Sequence, residues 1–142
     1  MKEFPTTRPI TPSTWFWVVL SSTVAVLGLA AVWAGVSVHF RSPCSWMLVV
    51  VAVDAALLLR LAGLPAGRVR LLLTAVVTVL TVIAAALLVS AAQIGLGMGL
   101  PPNEALPALS PGLVWLYLQA QLGWLDALWL LPAAAFGGWL AR

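Results

Sequence analysis

A chain of 142 residues that is 63% hydrophobic and only 8% charged, with a mean hydropathy of +1.08, lies far from a soluble domain, which is roughly 45–50% apolar and about 25% charged. Its expected solvent is the bilayer, its length suits a single domain, and its net charge of +3 is too small and too dispersed for a nucleic-acid surface. The lone cysteine, Cys44, excludes an intrachain disulfide, CxxC redox chemistry and four-thiolate metal centres, and the lone histidine, His39, excludes a His-rich metal site within the chain.

Four apolar segments are predicted, at about 12–39, 43–61, 71–94 and 111–140. Each has the roughly 20 residues needed to cross about 30 Å of hydrocarbon. Backbone polar groups cannot go unpaired in lipid, so each should be helical. The first segment is too long for a signal-peptide core and no A-x-A site ends it, so it is expected to be retained. It opens with "TPSTW": Thr11 to cap free N–H groups, Pro12 where its missing N–H costs nothing, and Trp15 at headgroup level. Ser21, Ala25, Gly28, Val32 and Gly35 form a small-residue stripe along it.

A short turn holding His39, Arg41 and Cys44 leads to the second segment, which repeats the opening as "SPCSW" with Ser42, Pro43 and Trp46. Inside it, the run "VAVDAALLLRLAG" carries one acid, Asp54, and one base, Arg60. "GLPAG", residues 63–67, breaks the chain before the third segment. There Thr74, Thr78, Thr81, Ala85, Leu88, Ala92, Gly95 and Gly99 follow one another at steps of three and four, a stripe that lets another backbone approach. The Pro-rich stretch 93–112, with Glu104, is expected as a long apolar loop lying on the membrane or docked on a partner. Its glycines follow no strand and precede no Lys-Ser/Thr pair, so they do not make a phosphate loop. The fourth segment opens with "SPGLVW" (Ser110, Pro111, Trp115). It carries Gln119, Gly123, Asp126, Leu130, Ala133 and Gly137 on one side, with Trp124 and Trp129 beside them, and should kink at Pro132.

Basic residues set the orientation. Lys2 and Arg8 precede the first segment, Arg60, Arg68 and Arg70 surround the second turn, and Arg142 ends the chain; only Arg41 falls on the other side. The positive-inside rule then places both termini in the cytoplasm, with Arg60, Arg68 and Arg70 as anchors on that face.

The acids carry the functional question. At about 1.5 Å per residue, Asp54 lies roughly 12 Å below Trp46, and Asp126 about 15 Å deep in an unbroken fourth helix. Gln119, Gln121 and Thr81 lie at neighbouring depths. An Asp at a helix centre costs about 2.5–3.5 kcal/mol on insertion scales. Three arrangements offset that cost: hydrogen bonding within the bundle, a contact with a partner subunit or ligand, or a working role in carrying protons or cations. Arg60 is a poor partner for Asp54, since six residues turn a helix by about 240°. His39 and Cys44 lack the orienting third group of a nucleophilic site.

The sequence therefore predicts an all-α polytopic membrane protein, a four-transmembrane-helix bundle without metal or cofactor. Abundant Arg and Ala suit a bacterial gene of high G+C content, and hence a bacterial inner membrane. Without a catalytic set, the expected role is a non-enzymatic accessory or assembly subunit. Its partners would be the lipid bilayer and other membrane subunits or further copies of itself. The alternative is a small oligomeric proton- or cation-coupled transporter or channel working through Asp54 and Asp126. An enzyme acting on lipid with the two acids as acid and base lacks a nucleophile and a headgroup site.

Overall fold

The computed structural model describes residues 12–121 and 123–141, apart from the side chains at 102 and 121. The expected roles of Lys2, Arg8, Thr11, the Gln121 side chain and Arg142 lie outside the described residues. All regular structure among those residues is helical: α1 Pro12–Phe40, α2 Met47–Leu61, α3 Arg68–Met98, α4 Pro102–Ala108, α5 Pro111–Gln121, α6 Trp124–Ala127 and α7 Leu130–Ala141.

Three helices are long and apolar enough to cross a membrane: α1, α3 and the run Trp124–Ala141 that joins α6 to α7. The expected count of four is not reproduced by length and composition. At 15 residues, α2 covers about 22 Å, short of a full hydrocarbon core. The second segment loses its first turn because Ser42 and Pro43 do not open the helix. Ser42 instead donates its N–H to the Ser37 carbonyl, and Arg41 donates to Val38, a Schellman ending for α1 with Arg41 in the left-handed region. Cys44 is left-handed as well, and its carbonyl accepts the N–H of Met47.

α1 lies mainly on α3, whereas α2 packs mainly on α7 and also on α3. Two cores fix the direction of travel. One joins Ala30, Trp33, Met47, Val51 and Ala85, and the other joins Val18, Leu59 and Leu64. α2 thus runs from the first core to the second. Arg70 donates to the carbonyls of Leu64 and Ala141, so the end of α7 returns to the end of the bundle where α1 begins.

The small-residue stripe of α3 packs as its spacing suggests: Thr74, Thr81, Ala85 and Gly95 are buried. The hydroxyls of Thr74, Thr78 and Thr81 bond their own helix at the carbonyls of Arg70, Thr74 and Val77 (2.7–2.8 Å), whereas the fully buried Ser90 hydroxyl further along α3 has no hydrogen-bond partner among the described residues. At two points backbones approach too closely for a larger residue. A Cβ added to Gly95 would lie 2.8 Å from the Ala105 Cβ, and one on Gly137 would lie 3.1 Å from the Ala52 Cβ.

The stretch 93–112 is mostly helix. α3 runs on to Met98 and ends at left-handed Gly99 in a second Schellman motif, with Leu100 N–H on the Gly95 carbonyl. α4 then folds back on α3 through buried Ala105, so this stretch docks on its own chain. α5 opens as expected, with Ser110 Oγ accepting the Leu113 N–H.

The fourth segment, expected as one helix over 111–140, is broken into α5, α6 and α7. Gly123, with extended backbone, starts α6 as a helix separate from α5, and the second break is the turn at Leu128 and Trp129. The second break lies one turn before Pro132, whose missing N–H and ring leave no helical bond to the Leu128 carbonyl, so the interruption expected at Pro132 falls there.

Candidate functional site

Asp54 lies midway along α2, half-buried, in a groove of about 500 Å³ between α2 and α1. Ser21, Ala25, Gly28 and Val32 form the α1 wall, so the stripe expected to pack within the bundle borders this open groove. Ser21 offers Asp54 nothing, since its hydroxyl donates to the carbonyls of Trp17 and Val18. A Cβ added at Gly28 would meet no atom within 4 Å. Among the described residues the Asp54 carboxylate has no hydrogen-bond or ionic partner. Arg60 is exposed at the end of α2 and lines a different cavity.

Asp126 has a different environment. Its Oδ1 accepts the Ser45 hydroxyl at 2.5 Å, and its Oδ2 accepts the Gly123 N–H at 2.7 Å. The carboxylate therefore closes the start of α6 and ties it to the residues preceding α2. Ser45 stands nine positions before Asp54, so Asp126 lies about 13 Å away from Asp54 along the α2 direction. The similar depths expected for the two acids required an unbroken fourth helix, and the break at Gly123 removes that premise. Asp126 lines a second cavity, of about 440 Å³, whose wall is apolar apart from Ser45, Thr78, Tyr117 and the acid itself.

The other residues singled out by sequence do not gather around either acid. Thr81 is fully buried and bonded to Val77. Gln119 is exposed on α5. His39 is exposed with its ring edge-on to Phe40, and Cys44 is a buried free thiol. Among the described residues no group of three His, Cys, Asp or Glu side chains could hold a metal ion. Of the three basic anchors, Arg60 and Arg68 are exposed, but Arg70 is only 6% exposed and bridges α3 to α7 and to the 63–67 turn.

Sequence reasoning missed the brace around the α1–α2 turn. Trp33 Nε1–H donates to the Pro43 carbonyl at 2.8 Å, Ser37 Oγ–H to the Ser42 carbonyl, and Gln93 Nε2–H to the Ser37 carbonyl at 3.0 Å. Trp33 carried a signal, because it lies inside the first apolar segment and not at an opening like Trp15, Trp46 and Trp115, and the structure buries it. Compared with protein-family models, curated proteins and solved structures, the chain matches none.

Proposed function

We propose that the chain is a non-enzymatic accessory subunit of a larger complex in a bacterial inner membrane, with both termini cytoplasmic. The groove between α1 and α2 receives a transmembrane helix of the partner subunit. The observation that carries this reading is Asp54: a carboxylate midway along an apolar helix, open to a groove and unpartnered among the described residues. An unpaired acid in hydrocarbon is costly, and a donor from a neighbouring helix offsets that cost. Gly28 supports the same reading, since the wall opposite Asp54 is low enough for close backbone approach. The partner helix presents a small surface with a base or hydrogen-bond donor at the depth of Asp54. The arginines at one end of the bundle, Arg60, Arg68 and Arg70, support a cytoplasmic position for that end.

The test is purification from native membranes in mild detergent, followed by mass measurement of the intact assembly. A partner subunit is expected with the native chain, lost in Asp54→Leu and largely retained in Asp54→Asn, which keeps hydrogen-bonding capacity. A lone monomer from native membranes would end this reading. The alternative, cation or proton translocation through Asp54 and Asp126, draws less support. The acids line different cavities, and Asp126 is already engaged by two donors. Proteoliposome flux abolished by Asp54→Asn would restore it.

A further inference from the structure

The arginine end of the bundle holds a cavity that neither acid reaches. It measures about 350 Å³ and lies where the last turn of α2, the 63–67 turn, the first turn of α3 and the last turn of α7 meet. Its lining is Arg60, Ala66, Arg70, Trp139 and Leu140. A guanidinium carries five N–H donors. Arg70 spends Nε–H on the Ala141 carbonyl (2.9 Å) and Nη1–H on the Leu64 carbonyl (3.3 Å), which fix the plane of the group and leave further donors over. Both acceptors are neutral, so the buried positive charge is solvated by carbonyl dipoles and no described carboxylate compensates it. Among the described acids, Asp54 lies midway along α2, Glu104 in α4 and Asp126 beside Ser45, and none lies at this end. Arg60 adds a second, exposed guanidinium to the same cavity.

We propose that this cavity binds the phosphate of an anionic phospholipid, held by Arg60 and Arg70 beside Trp139. Guanidinium forks match phosphate oxygens in geometry and charge. Trp139 is 73% exposed, and an amphipathic ring at a helix end marks the headgroup level, where a lipid phosphate stands. The volume accommodates a phosphate with its glycerol, while the acyl chains remain along the outside of α7. Arg70 is the pre-set element of the site, because its bonds to α7 and to the turn exist without the ligand. Arg60 is the adjustable element. The site is independent of the Asp54 groove and stands whether or not a partner subunit occupies that groove.

The test uses the full chain in detergent micelles and native mass spectrometry, with phosphatidylglycerol or phosphatidylcholine added at equal concentration. Phosphatidylglycerol adducts are expected in several-fold excess. Arg60→Gln, at an exposed position that leaves folding intact, should lower them about five- to tenfold. Arg68→Gln, which removes a neighbouring charge outside the cavity lining, should lower them less than about twofold. Equal binding of the two lipids would overturn the proposal, as would equal losses in the two variants, since that pattern belongs to diffuse charge and not to a site. Millimolar inorganic phosphate serves as the competitor. Retention of the lipid supports a bilayer source, and displacement would overturn the lipid assignment in favour of a soluble phosphate.

Discussion

At the scale of single residues, the two described aspartates have opposite roles: one ties the backbone, and the other has no partner among the described residues. Asp126 is the first. Its two oxygens take one donor each, from Ser45 and from the Gly123 backbone, so it caps α6 and joins it to the start of α2. Asp126→Ala should cost about 1–2 kcal/mol, the usual loss for a helix cap plus one charge-assisted bond. Ser45→Ala should cost less, about 0.5–1.5 kcal/mol. Because both remove the same bond, the double variant should be more stable than the sum of the two losses implies, by about 0.5–1 kcal/mol. Thermal unfolding in detergent measures the cycle, and strict additivity would show that the bond contributes nothing. The sequence marked Asp126 as exceptional but not its partner. Ser45 is 81 positions away, and no local pattern around either residue pairs them. Arg41 and Cys44 hid the α1–α2 turn for a related reason. Both take left-handed backbone without being glycine, and the bonds from Trp33, Ser37 and Gln93 hold that costly geometry in place.

At the scale of elements, helix type and small-residue periodicity were legible, and helix continuity was not. The stripe on α3 could be read because steps of three and four impose one face whatever packs on it. The break in the fourth segment could not. Residues 111–140 are apolar apart from Gln119, Gln121 and Asp126, and the capping geometry that starts α6 at Gly123 and Asp126 is not displayed by that pattern, whereas the interruption at Leu128 and Trp129 falls one turn before Pro132. The same stripe logic holds on α1 and α7 with opposite outcomes, which allows a test. Gly137 abuts Ala52, so Gly137→Leu forces α7 off α2 and should cost about 1–3 kcal/mol as overpacking. Gly28 meets nothing within 4 Å, so Gly28→Leu should change the stability of the isolated chain by less than about 0.5 kcal/mol. If the groove receives a partner helix, Gly28→Leu should nevertheless abolish co-purification. Unfolding curves and intact-mass measurement on the same two variants separate the effects. A destabilised Gly28→Leu monomer would place a neighbour where none is expected.

At the scale of the whole molecule, the short helix α2 decides the topology. α1 and α3 are long enough to span, and α6 with α7 forms a third run of sufficient length. With three crossings alone, the two ends of the described chain would lie on opposite faces. Yet Arg70 joins the end of α7 to the 63–67 turn, and Val18 of α1 packs on Leu59 and Leu64 beside that turn, so both ends lie at the arginine end. If α1, α3 and the α6–α7 run each cross, α2 crosses between them. Its 15 residues cover about 22 Å, and the missing length falls where its ends can borrow it. A crossing α2 would have exposed Arg60 in its last turn to snorkel outward and exposed Trp46 with the 43–46 turn for the other interface, and local thinning of the bilayer would absorb the remainder at fractions of a kcal/mol per Å. Single cysteines introduced at Ala66 and Arg41, in a Cys44→Ser background, measure this directly. A membrane-impermeant maleimide should reach Ala66→Cys only from the cytoplasmic face and Arg41→Cys only from the opposite face, since the basic residues gather around the first site. Labelling of both positions from one face would mean that α2 re-enters without crossing, which would overturn the four-crossing reading.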